Sequence, residues 1–281
     1  MKTVRAREIL AVIRLDLSEV RRSRWLLFCT AVYLLLSVGF VFFGMRESTV
    51  VGFTGVGRTL LSLVHALLLL LPLLALTATG QVINRAREDG TLELLLTQPL
   101  RRSSYFLGVA LTRFFVLLAP LLVTLLALAL LGRFAFGQEV PWGFLFQALN
   151  ISAALIAAFA GLGLGVSTWV RYPARAVTWI LVLWALAVVL VDFGLITVML
   201  QWRLNPQTVF LLAALNPVQA ARMGLLSGTS TDLASLGPVG VYLATQVGPV
   251  GLYGLGVVWP WAFGLIFFFM ASLSFRKSDI V

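Results

Sequence analysis

The sequence has very little charge and almost no cysteine or histidine. Only 11% of its 281 residues are charged, whereas 60% are hydrophobic. A soluble domain carries about 25% charged residues, so this composition excludes an ordinary soluble domain and indicates a polytopic membrane protein. The single cysteine, Cys29, excludes both a disulfide within the chain and a metal site built from several cysteines.

The sequence also lacks the glycine-rich phosphate loop that ends in Lys-Ser or Lys-Thr, so we do not expect the chain to bind ATP by that route. The Gly-Leu-Gly-Leu-Gly run at 161–165 lies within an apolar span and has no basic partner. Small residues in such a place favour close helix packing. No catalytic residues are predicted, and the chain is expected not to be an enzyme.

The net charge of +10 does not indicate a nucleic-acid partner. The Lys and Arg residues fall between apolar segments, where they set the orientation of a membrane protein. Membrane lipid is therefore the expected environment, and no nucleic acid is expected to bind.

Charged residues divide the sequence into apolar stretches long enough to cross a bilayer as helices. The predicted fold is all-α and forms one transmembrane domain over residues 1–281. Six spans are expected, at about 25–45, 59–84, 114–132, 142–170, 176–200 and 250–275. Residues 201–249 are assigned to the outer side. Within them, Leu204 to Ala221 contains two Asn-Pro pairs and is expected to form a surface or re-entrant helix.

An even number of spans places both termini on one side of the membrane. Most of the 21 Lys and Arg residues then fall on that side, which identifies it as the cytoplasm. The first span is expected to be retained and not to be a cleaved signal.

The N-terminal segment, residues 1–24, is predicted to be cytoplasmic and amphipathic. Its apolar residues form one helical stripe, as in a helix lying on the inner leaflet: Ile9, Val12, Ile13, Leu17 and Val20. Asp16 falls within that stripe, and a solvated cytoplasmic helix is the alternative.

The connector between the second and third spans reads REDGTLELLLTQPLRR, from Arg87 to Arg102. Gly90 is expected to end one helix, Thr91 to cap the next, and Pro99 to stop it after Gln98. Four leucines give it an apolar centre and charged residues give it a rim, which is typical of a docking surface: Leu92, Leu94, Leu95 and Leu96 with Glu88, Asp89, Glu93, Arg101 and Arg102. The alternative is that this helix packs on its own membrane domain.

A few isolated polar side chains within or near the spans are further candidates. Asp192 is the only acidic residue within a span and is a functional candidate, although it can also reach the outer interface. His65, Met199 and Met223 are weak candidates for a metal, since thioethers suit Cu(I). Packing in the core is the favoured interpretation for them.

The GTLELLLTQPLRR connector after a second span, the six spans and the amphipathic N-terminus resemble the ABC-2 type permeases. The resemblance implies that the connector holds a coupling helix, which touches a separate ATPase subunit that binds ATP and Mg, and that two copies form a homodimer in a bacterial or archaeal inner membrane. The matching residues are Glu88, Gly90, Thr91, Leu92, Glu93, Leu95, Pro99 and Arg102.

Other segments resemble the permeases that serve nitrous oxide reductase maturation: VGFTGVGRTLLSLV from Val51, Val191-Asp192-Phe193, and LLAALNPVQAARMGLLSG from Leu211 to Gly228. This resemblance implies a periplasmic maturation protein and a role in building copper centres. Asn216 and Arg222 are then candidate contacts for that partner.

Three functions remain open from the sequence. The first is a permease that couples ATP hydrolysis to export or to work on a periplasmic partner. The others are a scaffold that anchors a maturation complex without transport, and an exporter of another substrate. A secondary transporter is disfavoured, because it would need several carboxylates within the spans and Asp192 is alone.

Overall fold

The computed structural model describes residues 2–44, 55–137, 139–191, 193–194, 197, 206–227 and 246–277. The described chain is helical and we number its α-helices in order. They are α1 (Lys2–Arg22), α2 (Trp25–Gly44), α3 (Gly55–Thr79), α4 (Val82–Glu88), α5 (Thr91–Leu96), α6 (Arg102–Phe136), α7 (Trp142–Trp169), α8 (Pro173–Trp184), α9 (Pro206–Ala214), α10 (Pro217–Leu226) and α11 (Gly248–Lys277). A π-helical turn, Ala185–Leu190, continues α8.

Six of the described helical segments are long and apolar enough to cross a membrane, and a bent helix pair at 207–226 would be a seventh if it counted as one span. This confirms the all-helical fold with six candidate spans. The helix of the third span extends well beyond the residues predicted for it, because it begins at Arg102. The second is interrupted at Gly80, where a Cβ would lie 2.6 Å from the Ile180 Cδ1 atom of α8. The predicted end of the fifth span, around residue 200, lies outside the described residues.

Helix α7 lies at the centre of the bundle. Within the apolar stretch that makes α7 a candidate span, 72% of the residues are buried. The corresponding share is 17% in α2 and 17% in α8 with its π-helical turn. Glycines allow its neighbours to approach: a Cβ on Gly163 would strike Thr79 of α3, and one on Gly161 would strike the Gly264 carbonyl of α11. The glycine run therefore packs helices, as its small residues predict.

Helices α9 and α10 form a sharply bent pair in the predicted outer segment. The chain turns by 115° between Gln207–Leu215 and Pro217–Leu226. Pro217 cannot donate a backbone hydrogen bond to the preceding helix, so α9 ends at the Asn-Pro step. Helix α10 packs closely on α11, where Gly224 and Gly256 face each other.

Buried side chains form two separate hydrophobic clusters. The larger one fills the interior of the bundle between α3, α6 and α7. The smaller one, which we call the end cluster, lies where α4, α5 and α6 meet the C-terminal end of α11. Its buried members are Val12, Ile83, Leu92, Tyr105, Phe106, Val109, Leu164, Ala271 and Phe275.

Helix α1 packs lengthwise on the first half of α6. Val12 and Val20 of the predicted apolar stripe are buried, and a Cβ on Gly108 of α6 would lie 2.7 Å from the Val12 Cγ1 atom. Leu17, placed on the same stripe by its spacing, is 39% exposed. The position of α1 on the inner leaflet stays a prediction.

Candidate functional site

The connector forms a short hairpin of two helices, α4 and α5. Gly90 joins them with a φ of 68°, a left-handed conformation that residues with a Cβ rarely adopt. The Asp89 and Gly90 amides donate to the carbonyls of Arg85 and Arg87 and so close the last turn of α4. This geometry turns the chain so that α5 lies across the end of the bundle.

The prediction that Thr91 caps α5 is wrong. Gly90 occupies the N-cap position without a side-chain hydrogen bond, and Thr91 is the first residue of the helix itself. Glycine tolerates the left-handed backbone at position 90, so the N-cap is Gly90, one residue before the predicted Thr91. The helix also ends earlier than predicted, at Leu96, and Gln98 and Pro99 follow it.

The leucines of α5 divide between the protein and the surface. Leu92 is fully buried in the end cluster, and Leu95 and Leu96 pack partly against it. Leu94 points the other way and is 69% exposed. Leu92 is therefore an anchor for α5 and not a contact for another protein, which corrects its place among the predicted contact residues.

The exposed side of the hairpin carries both apolar and acidic groups. Glu88, Glu93 and Pro99 are exposed, as Leu94 is. Arg102 is half-buried, and its Nη1 atom donates to the Arg276 carbonyl at 3.0 Å. Arg102 thus joins the start of α6 to the end of α11.

Two contacts hold α4 to the end of α7. The Ile83 amide, which the break after α3 leaves without a helical partner, donates to the Ser167 hydroxyl at 2.8 Å. The Arg87 Nη1 atom donates to the Thr168 carbonyl at 3.5 Å. Sequence analysis missed Ser167, because nothing in the sequence pairs it with a residue 84 positions earlier.

A buried ion pair joins α1 to α6. The Arg113 Nη2 and Nε atoms donate to the two carboxylate oxygens of Asp16, at 2.6 and 3.1 Å. Burial raises the pKa of Asp16, and the Arg113 charge opposes that rise without outweighing it. The one sequence signal for this pair was the acidic residue within the apolar stripe of α1.

Asn216 has a different role from the predicted contact with a partner. It is only 9% exposed, and both ends of its amide are used within the chain. Its Oδ1 accepts from the Val218 amide at 2.8 Å, and its Nδ2 donates to the Ala187 carbonyl at 2.6 Å. Asn216 therefore caps α10 and braces it against the π-helical turn.

The structure brings Arg222 and His65 near each other. Arg222 is half-buried on α10, and its charge acts on His65 of α3. The His65 Nδ1 atom lies 3.0 Å from the Leu61 carbonyl of its own helix. Met223 is half-buried, and Asp192 and Met199 lie outside the described residues. Within the described chain, no three His, Cys, Asp or Glu residues form a possible metal group.

Six apolar helices long enough to cross a membrane, with a short helical hairpin across their ends, define a polytopic membrane protein. The chain belongs to the ABC-2 family of transporter proteins, whose family model matches residues 10–280. Members of this family are permeases and not themselves ATPases, and work with an ATPase partner.

Two proteins that carry the same name are similar to the chain over most of its length. The chain is 34% identical over 234 residues to the "Probable ABC transporter permease protein NosY" of Pseudomonas aeruginosa, covering 81% of this chain and 84% of the relative. It is 31% identical over 236 residues to the protein of that name in Stutzerimonas stutzeri, covering 80% and 84%.

Proposed function

We propose that α5 is the coupling helix through which a separate ATPase drives this permease. The ATPase binds ATP and Mg, and two copies of the chain, each with one ATPase, form the working unit. Both termini and the α4–α5 hairpin face the cytoplasm. The transporter acts in copper-centre maturation of nitrous oxide reductase together with a periplasmic protein, a role suggested by the name of its relatives.

The single observation that carries this proposal is the opposite orientation of Leu92 and Leu94. A helix of six residues is too short to be stable alone, and α5 is held by Leu92 in the end cluster. Leu94 is left exposed with Glu93 beside it. An exposed apolar side chain within an acidic rim is the pattern of a protein contact.

The end cluster provides a route for movement into the membrane. Leu92 shares it with Phe106 of α6 and Phe275 of α11, whose rings lie 5.7 Å apart. Packed interiors resist deformation and move as units. A displacement of α5 is therefore passed to α6 and α11, and α4 passes it to α7 through Ile83 and Ser167.

The proposal is tested by ATP hydrolysis in the reconstituted complex of permease and ATPase. Leu94→Asp puts a charge into the exposed apolar contact, and Glu93→Arg reverses a charge at its rim. We expect permease-stimulated hydrolysis to fall about 30-fold in each variant, since the loss of an interface anchor costs roughly 2 kcal/mol. Leu94→Met keeps the apolar contact and is the control. Unchanged stimulation in the charged variants would contradict the docking role of α5.

The same experiment separates the permease from the scaffold hypothesis. A scaffold retains its periplasmic partner whether or not ATP is hydrolysed. If purified complexes hold that partner and the wild-type chain does not stimulate the ATPase, the scaffold is the better description. Stimulation that is lost in Leu94→Asp and kept in Leu94→Met supports the permease.

A further inference from the structure

Basic residues of four elements lie at the end of the bundle that carries α5. They come from α4, the start of α6, the loop between α7 and α8, and the end of α11: Arg87, Arg102, Arg171, Arg276 and Lys277. Arg102 is hydrogen bonded to the Arg276 carbonyl, and Arg87 to the Thr168 carbonyl. The charges of Arg171 and Arg102 both act on Arg87. We call these five residues the basic cluster.

Two members of the basic cluster have an evident structural role. Arg87 and Arg102 donate to carbonyls at the C-terminal ends of α7 and α11, where a cation is favoured by the helix dipole. Each bond uses one of the five donors of a guanidinium. Helix capping therefore explains why Arg87 and Arg102 lie here, but it does not explain the position of Arg171.

Arg171 adds a further positive charge that helix capping does not explain. It lies in the loop between α7 and α8, is exposed, and forms no ion pair with a described acidic side chain. Its charge opposes that of Arg87. Like charges held close together are unfavourable unless an anion lies between them, so the cluster is suited to bind one.

Exposed aromatic side chains lie beside Arg171. Trp169 and Tyr172 flank it and are 46% and 53% exposed, and the Arg175 guanidinium lies 5.2 Å from the centre of the Tyr172 ring. Exposed Trp and Tyr residues are typical of membrane–water interfaces. Farther along α8 and α11 the exposed side chains are apolar, among them Leu181 and Leu273.

We propose that the basic cluster binds the phosphate of an anionic phospholipid of the inner leaflet, with Arg171 as its exposed contact. A guanidinium matches phosphate oxygens with two parallel hydrogen bonds, and anionic lipids attract basic residues next to spans. The exposed apolar surface beside the cluster suits acyl chains, which an acidic protein segment would not need. The inference rests on the cytoplasmic orientation in the proposed function.

The test compares lipid binding by the full-length purified chain. The chain is delipidated in detergent and incubated with phosphatidylglycerol or phosphatidylcholine, and bound lipid is counted by native mass spectrometry. Wild-type protein is expected to prefer phosphatidylglycerol. Arg171→Gln is expected to lower that affinity about fivefold, as removal of one basic residue near a lipid surface predicts. Arg171→Lys keeps most of it.

Arg133→Gln is the matched control, because Arg133 is an exposed arginine in the last turn of α6, at the opposite end of that helix from Arg102. It should bind phosphatidylglycerol like the wild type. An unchanged affinity in Arg171→Gln would overturn the proposal. Displacement of the lipid by millimolar inorganic phosphate, at constant ionic strength, would show a site for free phosphate and would also overturn it.

A third outcome concerns the ATPase. If the Arg171→Gln variant no longer bound the ATPase but still bound phosphatidylglycerol, the basic cluster would be a protein-docking surface, contrary to the proposal. The coupling role of α5 is measured separately with Leu94→Asp. Lipid loss in Arg171→Gln together with normal coupling in Leu94→Asp would support the lipid site and reject the proposed function of α5.

Discussion

The Asp16 carboxylate and the Arg113 guanidinium form a buried, two-bond ion pair that ties the N-terminal helix to α6. The side chains are 4% and 9% exposed, and the bonds measure 3.1 and 2.6 Å. Removing two charges from water costs about as much as their attraction returns. The pair therefore fixes where α1 docks more than it adds to stability. Val12, one turn earlier, belongs to the end cluster that anchors α5.

Breaking this pair on one side should destabilise the protein. Asp16→Leu leaves the Arg113 charge buried without its partner, and we expect a loss of about 3–5 kcal/mol in the free energy of unfolding. The double variant Asp16→Leu with Arg113→Met buries no charge and should lie within about 1 kcal/mol of the wild type. Unfolding in detergent, followed by tryptophan fluorescence, measures both.

The exposed Glu19 provides the control for that experiment, and Glu19→Gln should leave the unfolding free energy nearly unchanged. Equal stabilities of Asp16→Leu and the wild type would show that α1 is not held by the pair.

The same pair makes stability depend on pH. Burial raises the pKa of Asp16 in the folded state above its ordinary value of 3.8. The Asp16 carboxyl group therefore stays protonated to a higher pH in the folded protein than in the unfolded chain. The contribution of Asp16 is then most favourable below that value and is lost as the pH rises through the folded-state pKa. Asp16→Asn should lack this dependence. Thermal midpoints over a pH series, compared between the two proteins, measure the difference.

The leucines of α5 should separate folding from coupling. Leu92→Ala removes a fully buried side chain and should cost about 2–5 kcal/mol of stability. Leu94→Ala removes an exposed one and should change stability by less than about 0.5 kcal/mol, while lowering ATPase stimulation. Urea unfolding and ATP hydrolysis, measured on the same preparations, give both values. Similar stabilities of the two variants would show that Leu92 is not the anchor.

The spans were predictable from the sequence because the bilayer itself sets the length of an apolar helix. The break between α9 and α10 was predictable too, since Pro217 ends the preceding helix for local steric reasons. These features depend on neighbouring residues or on the solvent, and both can be read along the chain.

The contacts between distant segments could not be predicted in the same way. Asp16 and Arg113 are 97 residues apart, and which of them would meet depends on how α1 lies along α6. The sequence likewise shows a row of leucines in α5, but only the packing of Phe106 and Ile83 decides that Leu92 is the buried one. Asn216 was misassigned for the same reason, since its Ala187 partner lies in another helix.

The brace at Asn216 should contribute to stability through two distinct bonds. Asn216→Ala loses the cap on Val218 and leaves the Ala187 carbonyl without its donor, and we expect a cost of about 2 kcal/mol. Asn216→Asp keeps the cap but places a carboxylate against that carbonyl, so it should be destabilised as well. Thermal unfolding of both variants measures this. A fully stable Asn216→Asp would show that only the cap matters.

Asn150 is the matched control for this position, because among the described residues its side chain donates only to the Phe146 carbonyl of its own helix. Asn150→Ala is expected to lie within about 0.5 kcal/mol of the wild type.

The contact between α7 and α11 should be the least tolerant of added volume. A Cβ on Gly264 would lie 2.5 Å from the Ala157 carbonyl oxygen and 2.7 Å from its carbon. Since both are backbone atoms, no side-chain rotation can relieve the clash, and Gly264→Ala should force the two helices apart at a cost of about 1–3 kcal/mol. A Cβ on Gly254 in the same helix would meet no described atom within 4 Å. Gly254→Ala should therefore be neutral or stabilising by up to about 1 kcal/mol, because alanine favours helices. The thermal midpoints of the two variants are measured in the same detergent. That of Gly264→Ala should fall, and that of Gly254→Ala should stay the same or rise. A shift of the same sign and size in both would mean that helix propensity, and not the close approach of α7 and α11, determines the effect.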